Sequence, residues 1–455
     1  MKKHHQFVSV VLALAMSVGL LTGCGGKDES VGNNKIASQQ AEPEETIREA
    51  VGEEEEAEET VPVKVSYWYY HKGNEAEIME RAISRFNESQ SEYIVEGFSV
   101  PDKQKYLVAM SSDEAPDVIE LSNSEIISYQ SSGLLENLTE MGNERAFDFS
   151  IYDAPAVESN SVDGQMYGFP ITTVIIQMFY NKDILAEIGE TEPPATMEEL
   201  YDMAVRATTL DADGNIDVLG YPLFPLASAR QELIYAFGGN WVEEDGITPA
   251  ADSQAILDSL NMNIQYRSLY GIDKVQKFVA TGNTNRYTPQ DIFFTGKQLF
   301  RFDGPWLANQ IKENNPDVNF GVAMVPGTEA HPELRGVSRY ENTSLAIPVG
   351  AGEKEGAYAF ISWFATEGAK DFLVDIGSLP ANNTLFDDQE LLASNEVFPS
   401  FMEALKTSNG IAAPRMEDSA QYISLIEEYL DYVYNGSKTP EEAMNELQEQ
   451  AEMLN

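Results

Sequence analysis

From Val61 the chain repeats one unit that leaves few folds open. Val61, Val63, Val65 and Tyr67 recur at every second position, the period of a strand. Ile78, Ala82 and Phe86, with Met79 and Ile83, then recur at helical spacing. A second strand is expected over 93–98, a helix over 102–110, and a third strand in Pro116-Asp117-Val118-Ile119-Glu120-Leu121, again followed by a helix. A β-α-β-α-β order implies a parallel sheet with right-handed crossovers, because parallel neighbours cannot be joined by a tight hairpin. In open sheets of this kind ligands gather outside the carboxyl ends of the strands. Those ends carry Tyr69, Tyr70 and His71, then Ser122-Asn123, then Thr172-Thr173, and later Asp303-Gly304-Pro305-Trp306.

The chain has 455 residues, too many for one small domain, and two lobes of ordinary size are expected. Its formal net charge of −46 argues against nucleic acid as a partner, since phosphate binding runs on Lys and Arg. With Cys24 the lone cysteine, no internal disulfide can form. His71 and His331 are the histidines outside the leader, too few for a His-rich metal centre. Asp211, Asp213, Asn215 and Asp217 resemble a calcium loop only briefly: Gly214 is misplaced, and Pro222 stands where the bidentate glutamate belongs. They read as a polar turn, and no metal or cofactor is expected. Gly296-Lys297 lacks the first glycine of a phosphate loop, Asp291 standing in its place. Neither G-x-S-x-G nor H-E-x-x-H occurs. The two carboxylates of a glycosidase need not be close in sequence, so spacing alone does not exclude one.

Residues 1–23 read as a targeting segment. Lys2 and Lys3 supply its positive end, and the apolar run 7–21 is short for a membrane span. Leu21-Thr22-Gly23-Cys24 resembles the lipobox of bacterial lipoproteins, which implies lipidation of Cys24 and an anchor of acyl chains. Residues 24–60, with Glu53-Glu54-Glu55-Glu56, hold too few apolar groups to offset ordering entropy and read as an acidic tether.

One stretch, 293–327, combines G-K-x-x-x-x-x-x-G-P-W with N-P-D-V-x-F-G-V-x-x-x-P-G. Gly296 is expected to end a helix, 298–302 to form a strand, Asp303-Gly304 to turn and cap, Pro305 to open a helix, and 319–324 to form a strand. Together with Gly133-Leu134-Leu135, Tyr167-Gly168-Phe169-Pro170, Tyr180-Asn181-Lys182-Asp183 and Asn435-Gly436-Ser437-Lys438-Thr439-Pro440, it resembles the family 1 extracellular solute-binding proteins, the sugar-binding subunits of bacterial ABC importers. The resemblance runs from Val61 to the end. Met197 departs from it, replacing a usual tryptophan with another apolar residue.

The resemblance implies a two-lobed, periplasmic-binding-protein-like α/β fold of type II. Each lobe would be a mainly parallel sheet flanked by helices: 61–171 with 326–366, and 172–325 with 367–455. It implies a monomeric, lipid-anchored binding protein on the outer face of the membrane. Such a protein closes on a carbohydrate and docks on permease subunits, without catalysis. The same fold could serve a polyamine or a sensor, and an extracytoplasmic carbohydrate-active enzyme is a third class. A sugar site needs flat rings for the C–H faces of a pyranose and planar polar groups for its hydroxyls. Trp241 and Trp306 are the ring candidates. Asp303, Asn123, Arg339 and Glu341 are the polar ones, and Tyr69, Tyr70, His71, Thr172, Thr173 and Tyr340 complete the expected binding set. Cys24→Ser is expected to leave a folded protein that no longer partitions with membranes. Detergent phase separation checks this, and equal partitioning of both forms would remove the lipobox reading.

Overall fold

A computed structural model describes residues 61–102, 104–110, 115–223, 229–407, 410–416 and 418–454. The leader, Cys24 and the acidic tether lie outside the described residues. Ten strands build two sheets: β1 (Val63–Tyr69), β2 (Tyr93–Ser99), β3 (Val118–Ser122), β4 (Phe169–Val174), β5 (Gln177–Asn181), β6 (Phe300–Asp303), β7 (Phe320–Ala323), β8 (Ser338–Ala346), β9 (Leu379–Pro380) and β10 (Gly410–Ala412). The larger sheet has the order β9-β4-β8-β3-β1-β2, with β10 also pairing β8; the smaller is β6-β5-β7.

The opening β-α-β-α-β run builds the parallel part, β2-β1-β3, with Val65 opposite Val95 and Tyr67 opposite Val118. Parallel pairing does not extend over most of the rest. β8 runs antiparallel to β3 and β4, and the smaller sheet is antiparallel throughout. The reason is topological. β4 is the segment by which the chain leaves the larger sheet, and β8 is the one by which it returns, so the neighbours run in opposite directions.

Val174, Ile176, Met178 and Tyr180 alternate in sequence with the period of a single strand, yet the run is divided between β4 and β5. The side-chain period survives the change of sheet; what changes at the buried Ile175-Ile176 is the hydrogen-bonding partner. The outgoing and returning segments are laced together there. The Ile176 N–H donates to the Ser338 hydroxyl (2.7 Å), and the Val325 N–H to the Gln177 side-chain oxygen (3.1 Å).

Under the larger sheet the buried faces of β1 and of the helices Gly73–Ser89 and Lys354–Ala365 meet in an aromatic core. Phe360 lies 5.2 Å from Tyr67 and 5.1 Å from Phe86 between ring centroids. Each such side chain contributes roughly 1.5–3 kcal/mol by burial. Met178, Phe300 and Phe302 of the smaller sheet pack with Leu200, Tyr221 and Tyr266. A third core is helical, formed by Ile256, Leu260, Tyr422, Ile426 and Leu447 around Trp241. Asn181 shows why Tyr180-Asn181-Lys182-Asp183 ends a strand and starts a helix: its side-chain oxygen caps the N–H groups of Asp183 and Ile184 (3.0 and 3.1 Å).

β6 begins at Phe300, two residues later than expected. Residues 292–296 form a turn rather than a helix, closed by the Lys297 N–H on the Ile292 carbonyl (2.7 Å), with Gly296 at φ +69°. Phe300 and Phe302 enter the core, and Arg301 points to the opposite face, where it is fully buried. Its guanidinium lies 2.8 Å from Asp291 on one side and 2.8 Å from Asp303 on the other. Burial alone would strip the charge, but Asp303 and Asp291 hold the arginine above its usual range. Arg301→Met should therefore destabilise strongly, by about 3–5 kcal/mol, because two carboxylates remain buried without their cation. Chemical denaturation checks this, and a loss near zero would contradict it.

Candidate functional site

A cleft of about 270 Å³ opens between the two sheets. The larger sheet contributes Tyr70 and His71 at the end of β1, Glu120 and Ser122 of β3, Thr172 of β4, and Arg339, Glu341 and Thr343 of β8. The other wall carries Arg286, Tyr287 and Trp306. Six of the residues expected from sequence thus share one cavity: Tyr70, His71, Thr172, Trp306, Arg339 and Glu341.

Trp306 owes its position to a relay reaching into the protein. Its indole N–H donates to the Tyr287 hydroxyl (2.7 Å), and that hydroxyl donates to Asp303 (3.0 Å). Burial and the Asp303 charge raise the Tyr287 phenol, which stays protonated and able to donate. The indole lies over Gly304, where a β-carbon would sit 2.2 Å from the ring. Glycine at 304 is thus a packing requirement, and proline at 305 occupies the capping position of the helix Trp306–Asn314, which begins one residue later than expected. Asp303 does not cap that helix and does not reach the cleft. Both its oxygens are committed to Arg301, Tyr287 and the Gly304 N–H.

On the opposite wall the rings of Tyr70 and His71 stack 4.6 Å apart. His71 has a carboxylate on each nitrogen: Glu75 lies 3.0 Å from Nδ1 and Glu120 3.0 Å from Nε2. The other oxygen of Glu120 accepts the Tyr70 N–H (3.2 Å). Burial would lower the imidazole, but Glu120 and Glu75 raise it to about 10, so His71 is an imidazolium donating from both nitrogens. Arg339 pairs with Glu341 at 2.7 Å. Behind it Glu232 is fully buried and lies 3.9 Å from the guanidinium. Burial pushes Glu232 up to about 8 against the pull of Arg339, which leaves the arginine charge to Glu341 and the cleft.

The remaining expected residues lie elsewhere. Tyr69 faces the core, with its hydroxyl donating to Glu80 (2.5 Å). Thr173 is buried and accepts from the Asn342 amide (3.3 Å). Alternation along β8 sends Tyr340 away from Arg339 and Glu341, into a separate cavity of about 360 Å³ that Asn123 also lines. Trp241 is 2% exposed, inside the helical core. Asp211, read as part of a polar turn, accepts the N–H groups of Asp213 and Asn215 (2.9 and 2.8 Å). Among the described residues no cluster of His, Cys, Asp or Glu is arranged to hold a metal ion, and no helix is long and apolar enough to cross a membrane.

Sequence reasoning missed Glu75, Glu120, Arg286 and Tyr287. A usable signal existed for Glu120, a carboxylate inside the otherwise apolar run Val118–Leu121. None existed for Tyr287, whose φ of +58° and long-range partners are invisible in one dimension.

The imidazolium makes a signed prediction. A folded-state value of about 10 lies above the unfolded value of about 6.5, so its contribution is complete below that lower pH and disappears as pH rises through 10. The stability of the unliganded protein should fall across this window, and His71→Gln should flatten that part of the profile. Denaturation series at pH 6, 8 and 10 read it out; parallel profiles for both forms would contradict the double ion pair.

The family described as bacterial extracellular solute-binding protein matches residues 82–399. The maltotriose-binding protein of Pyrococcus abyssi is 24% identical over 338 residues, which cover 72% of this chain and 68% of that protein. The galactooligosaccharide-binding protein of Bacillus subtilis is 23% identical over 349 residues, 74% and 76% of the two chains. Among solved structures, CpMnBP1 with mannotriose bound superposes with a TM-score of 0.77 at 21% identity, over 86% of this chain and 100% of the other. Maltose-bound MalE3 of T. maritima gives 0.71 at 20% identity, over 86% and 100%. These superpositions establish the fold as that of type II periplasmic binding proteins.

Proposed function

The chain belongs to the bacterial extracellular solute-binding proteins, and from that premise we propose that it captures a carbohydrate between its two sheets and delivers it to the permease of an ABC importer. One observation carries the choice of ligand: Trp306, half-buried, is locked by Tyr287 and Gly304 so that a fixed aromatic ring lines the cleft. A rigid ring loses little entropy on contact and matches the apolar face of a pyranose. Facing it are Tyr70, His71, Arg339 and Glu341, a set of planar and charged groups suited to hydroxyl pairs. The relatives named above are described as binding maltotriose and galactooligosaccharide, which supports the same class here.

Binding proceeds without conversion in this reading. His71 has no free nitrogen to accept a proton, since both already face carboxylates. Closure is a population shift: contacts to both walls form together only when the walls approach. The bend falls at the two segments that pass between sheets, Ile175-Ile176 and 324–337. Lipidation of Cys24 would keep the protein at the outer face of the membrane, beside its permease.

Titration calorimetry against mono- and oligosaccharides, with mass spectrometry of the recovered ligand, tests the proposal. A sugar that binds and returns unaltered supports it; hydrolysis of the sugar, or affinity for polyamines alone, would replace it. Trp306→Ala should weaken sugar binding about ten- to a hundredfold, since stacking and lost apolar contact each contribute on the order of a kcal/mol. A large drop in melting temperature with affinity intact would instead make the ring a structural residue.

A further inference from the structure

The cations lining the cleft are not equivalent. His71 lies between Glu75 and Glu120, and Arg339 is paired with Glu341. Behind the wall, Arg301 lies between Asp291 and Asp303. Arg286 also lines the cleft, yet among the described residues no carboxylate pairs with it. Its recorded contact is with a ring: the guanidinium carbon lies 4.8 Å from the centroid of Tyr287. The chain has 75 acidic residues against 29 Lys and Arg, so a partner for an arginine is easily supplied, and among the described residues none is.

The backbone is bent to produce this arrangement. Tyr287 has φ +58°, a left-handed conformation that is costly for an aromatic residue. It is retained while the Tyr287 N–H donates to Asp291 (2.9 Å) and the hydroxyl joins Trp306 to Asp303. The stacking ring and the unpaired guanidinium are therefore adjacent and positioned by one residue. A guanidinium held against an aromatic face keeps its in-plane N–H donors free, and their fork matches a carboxylate in two parallel hydrogen bonds. The carboxylates that share the cleft do not compete for it, each being engaged with His71, the Tyr70 N–H or Arg339.

We propose that Arg286 is a specificity-determining residue and that the ligand is an acidic oligosaccharide, one whose sugar units include a uronic acid with its carboxylate on Arg286. This rests on the carbohydrate reading above and narrows it. Trp306 receives the ring of one sugar unit while Arg286, which like Trp306 contacts Tyr287, receives the charge.

The test uses the purified chain with calorimetry on four probes: mannotriose, maltotriose, trigalacturonate and the methyl ester of trigalacturonate, which keeps the rings and removes the charge. The expected result is that trigalacturonate binds more tightly than its ester. Arg286→Gln should weaken the acid by about ten- to a hundredfold, the range for a charge-assisted pair, and leave the ester within about twofold. Arg286→Lys should restore part of the loss, because the charge returns without the fork. Melting curves confirm that each variant is folded. If the neutral trisaccharides bind as tightly as or more tightly than trigalacturonate, or Arg286→Gln weakens acid and ester alike, the acidic ligand is overturned and the carbohydrate reading stands. If no probe binds and a panel of other neutral and uronic oligosaccharides also fails, the carbohydrate reading falls and this inference with it.

Discussion

Arg301 is the constraint on which the cleft depends. An arginine with no exposed surface is tolerable only where its charge is met on the spot, and Asp291 and Asp303 meet it from two sides. The same carboxylates then do second jobs. Asp291 accepts the backbone N–H groups of Tyr287 and Phe293, fixing the turn between the preceding helix and β6 (both 2.9 Å). Asp303 accepts the Tyr287 hydroxyl, and Tyr287 accepts from Trp306. A buried charge cluster therefore sets the orientation of a ring at the surface of a cleft. Such a cluster adds little net stability over apolar packing, and its value lies in geometry: every group has one low-energy arrangement, and the ring inherits it.

The two walls are joined differently from the way each is built. Within a wall, side chains are fixed by partners on that wall: His71 by Glu75 and Glu120, Trp306 by Tyr287 and Gly304. Between walls the covalent path includes Ile175-Ile176 and the segment returning to β8, side by side and bonded through Ser338 and Gln177. The ion pairs of His71 and the relay of Trp306 do not run through these segments. Arg339 is the exception. It sits one residue beyond Ser338, at the crossing itself, and its backbone N–H lies 3.3 Å from Glu232 of the helix Ala229–Tyr235.

How much of this could be read in the sequence follows from the range of each interaction. The β-α-β-α-β start was legible because strand and helix periods are local and the topology they imply is nearly unique. The Gly304-Pro305-Trp306 triplet was legible as a feature, and the structure adds the reason for its glycine. Asp303 was misread as a cap because its partners are two and sixteen residues away, and a single sequence offers no means of weighing Arg301 and Tyr287 against a nearby helix start. Trp241 illustrates the complementary failure. A tryptophan after a Gly-Gly turn looks the same whether it faces a cleft or a helical core, and the cores that decide it come from residues 256–260 and 422–447. The division of one alternating run into β4 and β5 was hidden for a simpler reason: side-chain period reports which face is buried and is silent about which strand lies alongside.

Preorganisation also explains how a chain with a net charge of −46 can keep a cleft that is not simply negative. Carboxylates spread over a surface lower the potential everywhere, but screening confines each to about 8–10 Å at physiological salt. Inside that distance the local pairs decide. Glu75 and Glu120 are bound to one imidazolium and Glu341 to one guanidinium, so apart from Arg286 the cleft presents bonded ion pairs with fixed hydrogen-bond directions rather than a field. Charges held in pairs do not reorganise when a ligand displaces water, and the cost of binding falls accordingly. The acidic surface then serves solubility while recognition is settled within the first few ångströms by groups whose orientation was fixed before any ligand arrived.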